Sequence, residues 1–254
     1  MTARQNGSLY THIKNKIATI EFGHPASNSF PSELLERLQK ELLLVGKKKE
    51  VAVIVLKSEG DRAFCAGASF DELVAISNLE EGKRFFSGFA NVINAMRTCG
   101  KLIIGKVQGK AVGGGVGLAA ACDYVLATEH ASIKLSEFTI GIGPFVIEPA
   151  VSRKVGIAAT AALTLEATSW KTAYWAKEKG LFAKVYETQK ELNKEVEIFA
   201  EKLASYNPEA LSEMKKVLWK GTENWNDLLA ERAAISGELV LSDFTKNALV
   251  KFKK

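Results

Sequence analysis

The sequence predicts an α/β fold that is followed by a region built of helices. Up to about residue 180, short apolar runs rich in β-branched residues alternate with longer segments whose apolar residues recur at helical spacing. This alternation is typical of βαβ units and of a largely parallel sheet. Beyond Gly180, long charged stretches keep the helical spacing and carry few strand signals. We therefore predict an α/β core over residues 1–190 and a helical region over residues 191–254, which packs on the core and on a neighbouring subunit.

The first 60 residues predict a hairpin, a helix and a buried strand. Two β-rich segments, Leu9–Ile13 and Ile17–Phe22, flank an Asn15-Lys16 step that suits a tight turn. Leucines then recur at helical spacing from Pro31 to about Val45, which indicates an amphipathic helix. The fully apolar run Ala52–Leu56 is typical of a strand that is buried on both faces.

The middle of the chain continues the alternation. A helix is predicted over about Glu80–Arg97, and a strand over Leu102–Val107. The glycine-rich segment Gly113–Gly117 then leads into a predicted helix of small residues, Leu118–Cys122, and a further strand, Tyr124–Ala127. These elements complete the predicted α/β core.

The composition is that of an ordinary folded protein. The chain has 254 residues, of which 47% are hydrophobic and 25% charged, so it can bury a large core without a metal or a disulfide. Its three cysteines are odd in number and form no CxxC pair, which argues against a disulfide scaffold and a structural zinc site. The net charge of +5 is mild, and no aromatic residues interleave with a basic stripe, so nucleic acid is an unlikely partner.

Membrane and secretory segments are not expected. Ala111–Cys122, the longest uncharged stretch of the glycine-rich centre, is shorter than the roughly 20 residues that a membrane-spanning helix needs. The segment Met1–Ser8 contains no apolar run typical of a secretory signal. We therefore expect a cytoplasmic protein without a membrane partner.

Two loops of small residues are the first candidates for a functional site. Ala63–Ser69 and Ala111–Gly117 each follow a predicted strand, and the second opens a helix. Small residues let a ligand approach the backbone closely, and a helix N-terminus adds free N–H groups and a positive dipole end. Together the loops could direct two N–H donors at one oxygen, as an oxyanion hole requires. The residues alone leave open the alternative that both loops merely permit close packing of strand on helix.

Common nucleophile, metal and nucleotide motifs are absent from the sequence. The segment Gly113–Gly117 is not GxGxxG, because Leu118 stands where the last glycine belongs. No GxSxG, HExxH or Walker motif occurs. Cys65 lies beside the first loop, but no histidine lies near it in sequence, which favours an inert buried thiol over a nucleophile.

Three motifs resemble those of the crotonase (enoyl-CoA hydratase/isomerase) superfamily. Ala63–Leu73 is similar to the AFxAGAD loop, Gly109–Asp123 to the GxAxGGGxxLAxxCD segment, and Leu135–Pro144 to the PExxLGxxP segment. The turn His24–Asn28 also resembles the family's RPxxxNAL turn. The resemblance implies a crotonase-like spiral of stacked ββα units with C-terminal helices. It further implies an acyl-CoA substrate, no cofactor apart from the coenzyme A of that substrate, and a homotrimer or dimer of trimers.

The resemblance also assigns roles to individual residues. Ala66 and Gly114 take the positions whose backbone N–H groups bind the thioester oxygen, and Glu137 takes that of the acid/base. A further set takes positions that contact the rest of the acyl-CoA: Ala26, Ser27, Gly67, Ala68, Ser69, Gly113 and Pro144. Apolar neighbours of Glu137 are expected to raise its pKa, which suits a group that both accepts and donates a proton near neutral pH.

The sequence departs from the family pattern at the second carboxylate. Many hydratases carry a glutamate where this chain has Gly117, and the usual aspartate after the first loop is Ser69. Glu148 is a possible second carboxylate, although a position at a helix start or on the surface is favoured for it. No metal ligand set is expected.

Three functions remain open at this point. We favour hydration of a 2-enoyl-CoA, because the glycine-rich and Leu-Ser-Glu segments also resemble branched-chain hydratases such as methylglutaconyl-CoA hydratase. The first alternative is isomerisation of an enoyl-CoA double bond by Glu137 alone. The second, from another class, is a non-catalytic protein that binds CoA or RNA.

Overall fold

The computed structural model describes residues 6–252, so most of the segment Met1–Ser8 and the last two residues of the predicted helical region lie outside it. Within this range the strands are β1 Ser8–Lys14, β2 Ile17–Gly23, β3 Val53–Ser58, β4 Ala63–Cys65, β5 Leu102–Val107, β6 Lys110–Val112, β7 Tyr124–Thr128, β8 Ser132–Lys134, β9 Lys171–Thr172 and β10 Lys184–Tyr186. The helices are α1 Ser32–Gly46, α2 Phe70–Ala75, α3 Leu79–Thr98, α4 Gly114–Ala121, α5 Glu148–Leu165, α6 Ala173–Glu178, α7 Gln189–Ala204, α8 Pro208–Leu218, α9 Trp225–Leu239 and α10 Asp243–Phe252. The α/β fold with C-terminal helices is confirmed.

The larger sheet has six strands in the order β1-β2-β3-β5-β7-β10. Only β1 and β2 pair antiparallel, and the hairpin between them turns at Asn15 and Lys16, which both have positive φ, as a two-residue type I′ turn requires. The remaining pairs are parallel and alternate their side chains between two buried faces. One face packs on α1, α3 and α4, and α7 covers the other.

The smaller sheet places the loops that matter for function. Its order is β4-β6-β8-β9, in which β4, β6 and β8 are parallel and β9 runs antiparallel to β8. The segments that follow the three parallel strands therefore leave the sheet at the carboxyl ends of these strands, and the chain enters β9 at the same end of the sheet. At that end the loops after β4, β6 and β8 and the segment before β9 lie side by side in this order.

The glycine-rich helix begins earlier than predicted. α4 starts at Gly114, within the segment Gly113–Gly117 that was expected to precede it. Glycine has a low helix propensity, but the helix is buried and its glycines let it approach its neighbours closely. A Cβ at Gly115 would lie 2.4 Å from the carbonyl oxygen of Cys65 in β4. Tertiary packing therefore overrides local propensity here.

The C-terminal helices pack on the core. α9 crosses α3 at Gly82 and Gly237, where a Cβ on Gly82 would lie 2.8 Å from the Gly237 carbonyl oxygen. α7 buries Leu192 and Val196 against the larger sheet. Contact of the helical region with a neighbouring subunit stays a prediction. Among the described residues, no helix has both the length and the apolar character that crossing a membrane demands.

A buried ion pair between Lys215 of α8 and Asp123 holds α8 against the larger sheet. Asp123 follows α4, and its Oδ2 accepts hydrogen bonds of 2.7 Å from both Lys215 Nζ and the Ile103 N–H. Its Oδ1 accepts a third 2.7 Å bond from Trp219 Nε1. The Lys215 and Asp123 side chains are only 2% and 5% exposed. Every oxygen of this carboxylate therefore has a partner, as burial of a charge requires.

Candidate active site

A cavity of about 520 Å³ opens at the carboxyl ends of the parallel strands of the smaller sheet. The loops after β4, β6 and β8 form one wall, and α2, α3 and the segment before α5 form much of the rest. Five phenylalanines line it: Phe70, Phe85, Phe86, Phe89 and Phe145. An apolar cavity with a few convergent polar groups is the usual form of a small-molecule site.

The cavity brings together most of the residues that the sequence singled out. Seven of the predicted site residues line it: Ala66, Gly67, Ala68, Gly113, Gly114, Glu137 and Pro144. Four others do not: Ala26, Ser27, Ser69 and Glu148. Ala26 and Ser27 are exposed on the turn before α1, and the Ser69 hydroxyl caps α2 by accepting from the Glu72 N–H.

The hydrogen bonds of the first loop argue against Ala66 as the oxyanion donor. Its N–H already donates to the Ser27 carbonyl at 3.1 Å. The next N–H, that of Gly67, donates to Cys65 Sγ at 3.3 Å, and the N–H of Ser69 donates to the carbonyl oxygen of Phe30 at 2.9 Å. Only the N–H of Ala68 in this loop has no partner among the described residues. The structure therefore moves the candidate donor from Ala66 to Ala68.

The second loop supplies the other donor. Gly114 is the first residue of α4, so its N–H has no acceptor within the helix. Gly113, the residue before it, adopts φ 53° and ψ −118°, a conformation that favours glycine. The N–H of Gly113 donates to the backbone carbonyl oxygen of Lys134 at 2.9 Å. A Cβ on Gly67 would lie 3.5 Å from the Gly114 nitrogen, so the two loops are in direct contact. The N–H groups of Ala68 and Gly114 thus belong to one corner of the cavity.

Glu137 lies against this corner. It opens a short 3₁₀ turn, Glu137–Ile140, just after β8. A Cβ on Gly113 would lie 2.8 Å from Glu137 Oε1, so the carboxyl group packs directly on the glycine loop. The residue is partly exposed, but Oε2 is buried and has no hydrogen-bond partner in the described part of the chain.

Burial makes Glu137 suitable for proton transfer. It raises the pKa of the carboxyl to about 7, opposed by the hydrogen bond from the residue's own backbone N–H. A group with this pKa accepts and releases protons readily near neutral pH. A carboxyl with a buried oxygen that has no hydrogen-bond partner among residues 6–252, in a largely apolar cavity, has the features of a catalytic acid/base.

No second carboxylate from the described residues reaches the cavity. A Cβ on Gly117 would lie 2.4 Å from Ile147 Cγ2, so the Ile147 side chain occupies the space into which a residue at position 117 would project. Glu148 begins α5 instead, and its Oε1 accepts a 2.5 Å hydrogen bond from the Ser152 hydroxyl. This placement fits the interpretation of Glu148 as a residue at a helix start, and it does not fit a second carboxylate of the site.

Other reactive groups near the cavity are inert or lacking. Burial raises the pKa of the Cys65 thiol to about 12, so it stays protonated and is a poor nucleophile. Within residues 6–252, no cluster of three or more His, Cys, Asp or Glu side chains could hold a metal ion. The Glu137 carboxyl beside the glycine-rich loop is an arrangement that fits proton transfer at a carbon next to a carbonyl group whose oxygen accepts hydrogen bonds from backbone N–H groups.

Comparison with known proteins gives consistent matches. The family described as enoyl-CoA hydratase/isomerase matches residues 12–250. The short-chain-enoyl-CoA hydratase of Clostridium acetobutylicum is 28% identical, over 94% of this chain and 92% of its own length. A peroxisomal Delta(3,5)-Delta(2,4)-dienoyl-CoA isomerase of Arabidopsis thaliana is also 28% identical, over 77% of this chain and 74% of its own. The crystal structure of an enoyl-CoA hydratase from Bacillus halodurans has the same fold, with a TM-score of 0.88 at 22% identity over 96% of this chain and 99% of that one.

Proposed function

The chain belongs to the enoyl-CoA hydratase/isomerase family, and we propose that it adds water to a 2-enoyl-CoA through an enolate held by backbone N–H groups. The observation that carries this proposal is the contact of the Glu137 carboxyl, whose Oε2 is buried, with the loop that presents the Gly114 N–H. A base and an oxyanion donor placed a few ångströms apart are what proton transfer next to a thioester needs. Relatives named as hydratases, from Clostridium acetobutylicum and Bacillus subtilis, support hydration.

The proposed mechanism uses one carboxylate twice. The N–H groups of Ala68 and Gly114 bind the thioester oxygen and polarise the conjugated double bond. Glu137 removes a proton from water as the water oxygen attacks C3, and the electrons of the double bond move to the thioester oxygen as an enolate. Glu137 then returns the proton to C2, which restores both the thioester and the carboxylate. Each N–H donor can contribute about 2.7–4 kcal/mol to stabilising the enolate-like transition state.

Isomerisation of a double bond is the second candidate. Ile147 fills the space beside Gly117, so Glu137 is the only carboxyl lining the cavity among the described residues. One carboxylate is enough to remove a proton from C2 and return it at C4 through a dienolate, and this reaction needs no bound water. A non-catalytic CoA- or RNA-binding protein, by contrast, gives no reason for a carboxyl with a pKa of about 7 whose buried oxygen has no partner in the described part of the chain.

A panel of acyl-CoA esters separates the candidates. Purified protein is incubated with 2-enoyl- and 3-enoyl-CoA esters of increasing chain length, and the products are identified by mass. We expect a 2-enoyl-CoA to gain one water. An unchanged mass with a shifted double bond would identify the isomerase instead, and no reaction with any ester would contradict both enzymatic proposals.

The pH dependence of the reaction follows from Glu137. As the base, it must be ionised in the free enzyme, and burial has raised its pKa to about 7. We expect kcat/KM to be low in acid, to rise through about pH 7 and to level off above it, as measured by initial rates with a 2-enoyl-CoA. A value of kcat/KM that stays constant from pH 5 to pH 8 would show that another group is the base.

Assembly and location remain predictions. The family resemblance implies a homotrimer or dimer of trimers. Large apolar side chains that stay exposed in the single chain, such as Ile157 and Phe244 at 73% and 67%, support an assembled form. A cytoplasmic location is likewise proposed from the sequence alone.

A further inference from the structure

The ring of Phe89 packs directly on the first residue of the glycine-rich helix. A Cβ on Gly114 would lie 2.5 Å from Phe89 Cε1 and 2.8 Å from Phe89 Cε2, so the ring fills the space into which a side chain at position 114 would project. Gly114 does not have a positive φ, so the ring and not the backbone conformation excludes a side chain there. The Phe89 ring, which comes from α3 and is buried, therefore supports the Gly114 N–H from beneath.

The loop after β4 is held by Phe30. Phe30 forms an isolated parallel bridge with Ala68, in which its N–H donates to the Gly67 carbonyl at 2.8 Å and its carbonyl accepts the Ser69 N–H at 2.9 Å. Successive residues of an extended segment direct their N–H groups to opposite sides, so the residue between these two bonds directs its own N–H away from Phe30. The bridge thus fixes the position of the loop and leaves the Ala68 N–H free to face the cavity.

The two phenylalanine rings contact each other. The centres of the Phe30 and Phe89 rings are 6.0 Å apart, and the rings meet edge to face at 72°. The Phe30 ring also contacts Phe22, with the ring centres 4.8 Å apart. Phe22 and Phe30 are fully buried, so their rings have little room to move. A continuous path of packed groups therefore leads from the bridge at Ala68, through the rings of Phe30 and Phe89, to Gly114.

We propose that Phe89 is a positioning residue of the oxyanion hole, which holds the Gly114 N–H at a fixed distance from the loop after β4. The inference rests on the proposed function, because it takes backbone N–H groups of these two loops as the donors to the thioester oxygen. It adds a residue that has no polar side-chain atom and lies outside the motifs of the sequence. Donors held in place before the reaction need no rearrangement during it, and a displacement of about 1 Å can lower a rate by about 10²-fold.

The thioester carbonyl of a bound ester reports on the donors without turnover. Hydrogen bonds to the oxygen weaken the C=O bond, so its infrared stretching frequency falls when the ester binds. Butanoyl-CoA, isotope-labelled at the thioester carbon, is saturated and cannot add water, which makes it a suitable probe. We expect the wild-type protein to lower the carbonyl frequency of butanoyl-CoA, and Phe89→Leu to lose most of this shift. In turnover, Phe89→Leu should lower kcat by up to about 10²-fold and change KM little.

Phe85 offers a matched control variant. It lies one turn before Phe89 on α3, lines the same cavity and is 7% exposed, against 6% for Phe89. Its ring contacts Phe86, however, and is not among the groups nearest to Gly114. Phe85→Leu removes the same atoms from the cavity wall and should keep the wild-type carbonyl shift. Equal losses of the shift in Phe85→Leu and Phe89→Leu would reveal a general effect of the cavity wall and overturn the proposal.

A second pair of variants tests the contact from the side of the glycine. Gly114→Ala places a methyl group against the Phe89 ring, so the loop must move and the carbonyl shift should be reduced. Leucine lacks the Cε and Cζ atoms that this methyl group meets, so adding Phe89→Leu should recover part of the shift. Recovery would support the proposal even if Phe89→Leu alone were unstable. A double variant with a shift no larger than that of Gly114→Ala would contradict it. Calorimetric titration with free CoA shows whether each variant is folded.

The outcomes keep this inference separate from the proposed function. A carbonyl shift that survives Phe89→Leu would overturn the inference, even if the ester panel shows hydration. Loss of the shift in Phe89→Leu, together with no turnover of any enoyl-CoA, would support the inference and contradict the proposed reaction. If the wild-type protein caused no shift, the assignment of the backbone donors would fall, and the inference with it.

Discussion

Glu137→Gln is expected to lower turnover of the enoyl-CoA by about 10²–10⁴-fold, the usual contribution of a general acid–base group. Glutamine keeps the size of the side chain and a carbonyl oxygen against Gly113, but it cannot accept and return a proton. Since Ile147 fills the space beside Gly117, no other carboxyl of the described chain can substitute. Affinity for an unreactive acyl-CoA should change little, because the Ala68 and Gly114 N–H groups are untouched. Single-turnover rates and calorimetric titration measure the two effects separately.

Glu148→Gln is the matched control for this experiment. The Glu148 side chain bonds to Ser152 at the start of α5 and does not line the cavity, so most of the activity should remain. Comparable losses in both variants, with a double mutant little worse than either, would show that the two carboxyls act as a unit. Turnover of Glu137→Gln at the wild-type rate would refute the mechanism and leave the fold assignment intact.

Local patterns predicted the frame of the molecule well. The hairpin at Asn15-Lys16, the helix after Pro31 and the strand Leu102–Val107 each follow from a periodicity or a turn signal within one element. The smaller sheet was missed as a sheet, because its strands are two or three residues long and too short for a period to show. Such strands exist because β-partners from distant parts of the chain pair with them.

The candidate site was predicted only as far as motifs reach. Position in a motif led to Glu137 and Gly114, whose surroundings in the structure fit their proposed roles. Motif position could not distinguish Ala66 from Ala68, because the difference lies in long-range bonds to Ser27 and Phe30. These bonds depend on how the turn before α1 docks on the loop after β4, and nothing in the local sequence encodes that docking.

The fate of the second carboxylate also depends on tertiary structure. The sequence shows a glycine at position 117 and a glutamate at position 148, and it left open whether one replaces the other. In the structure Ile147 enters the space beside Gly117, which turns the next residue, Glu148, out of the cavity and into the first turn of α5. Ile147 is thus one of the apolar residues that line the cavity together with Glu137, whose pKa burial has raised.

Asp123→Ala is expected to destabilise the protein by about 3–5 kcal/mol, the cost of leaving a buried charge without its partner. The substitution leaves the almost fully buried Lys215 without its charge partner, and it removes the acceptor of the Ile103 backbone N–H and of Trp219 Nε1–H. Lys215→Met should cost less, because Asp123 keeps those two donors. The double variant should be less destabilised than the sum of the single ones, since it leaves no unpaired lysine.

The neighbouring residue provides the control for this last measurement. Lys216 pairs with Glu213 on the surface of α8, where both side chains are about two-thirds exposed at 67% and 68%. Lys216→Met should change the free energy of unfolding by less than about 1 kcal/mol, because water and salt screen an exposed pair. Urea unfolding of all four variants at one protein concentration gives the comparison. If Asp123→Ala lowered the free energy of unfolding no more than Lys216→Met, the buried pair of Asp123 and Lys215 would not be what holds α8 against the larger sheet.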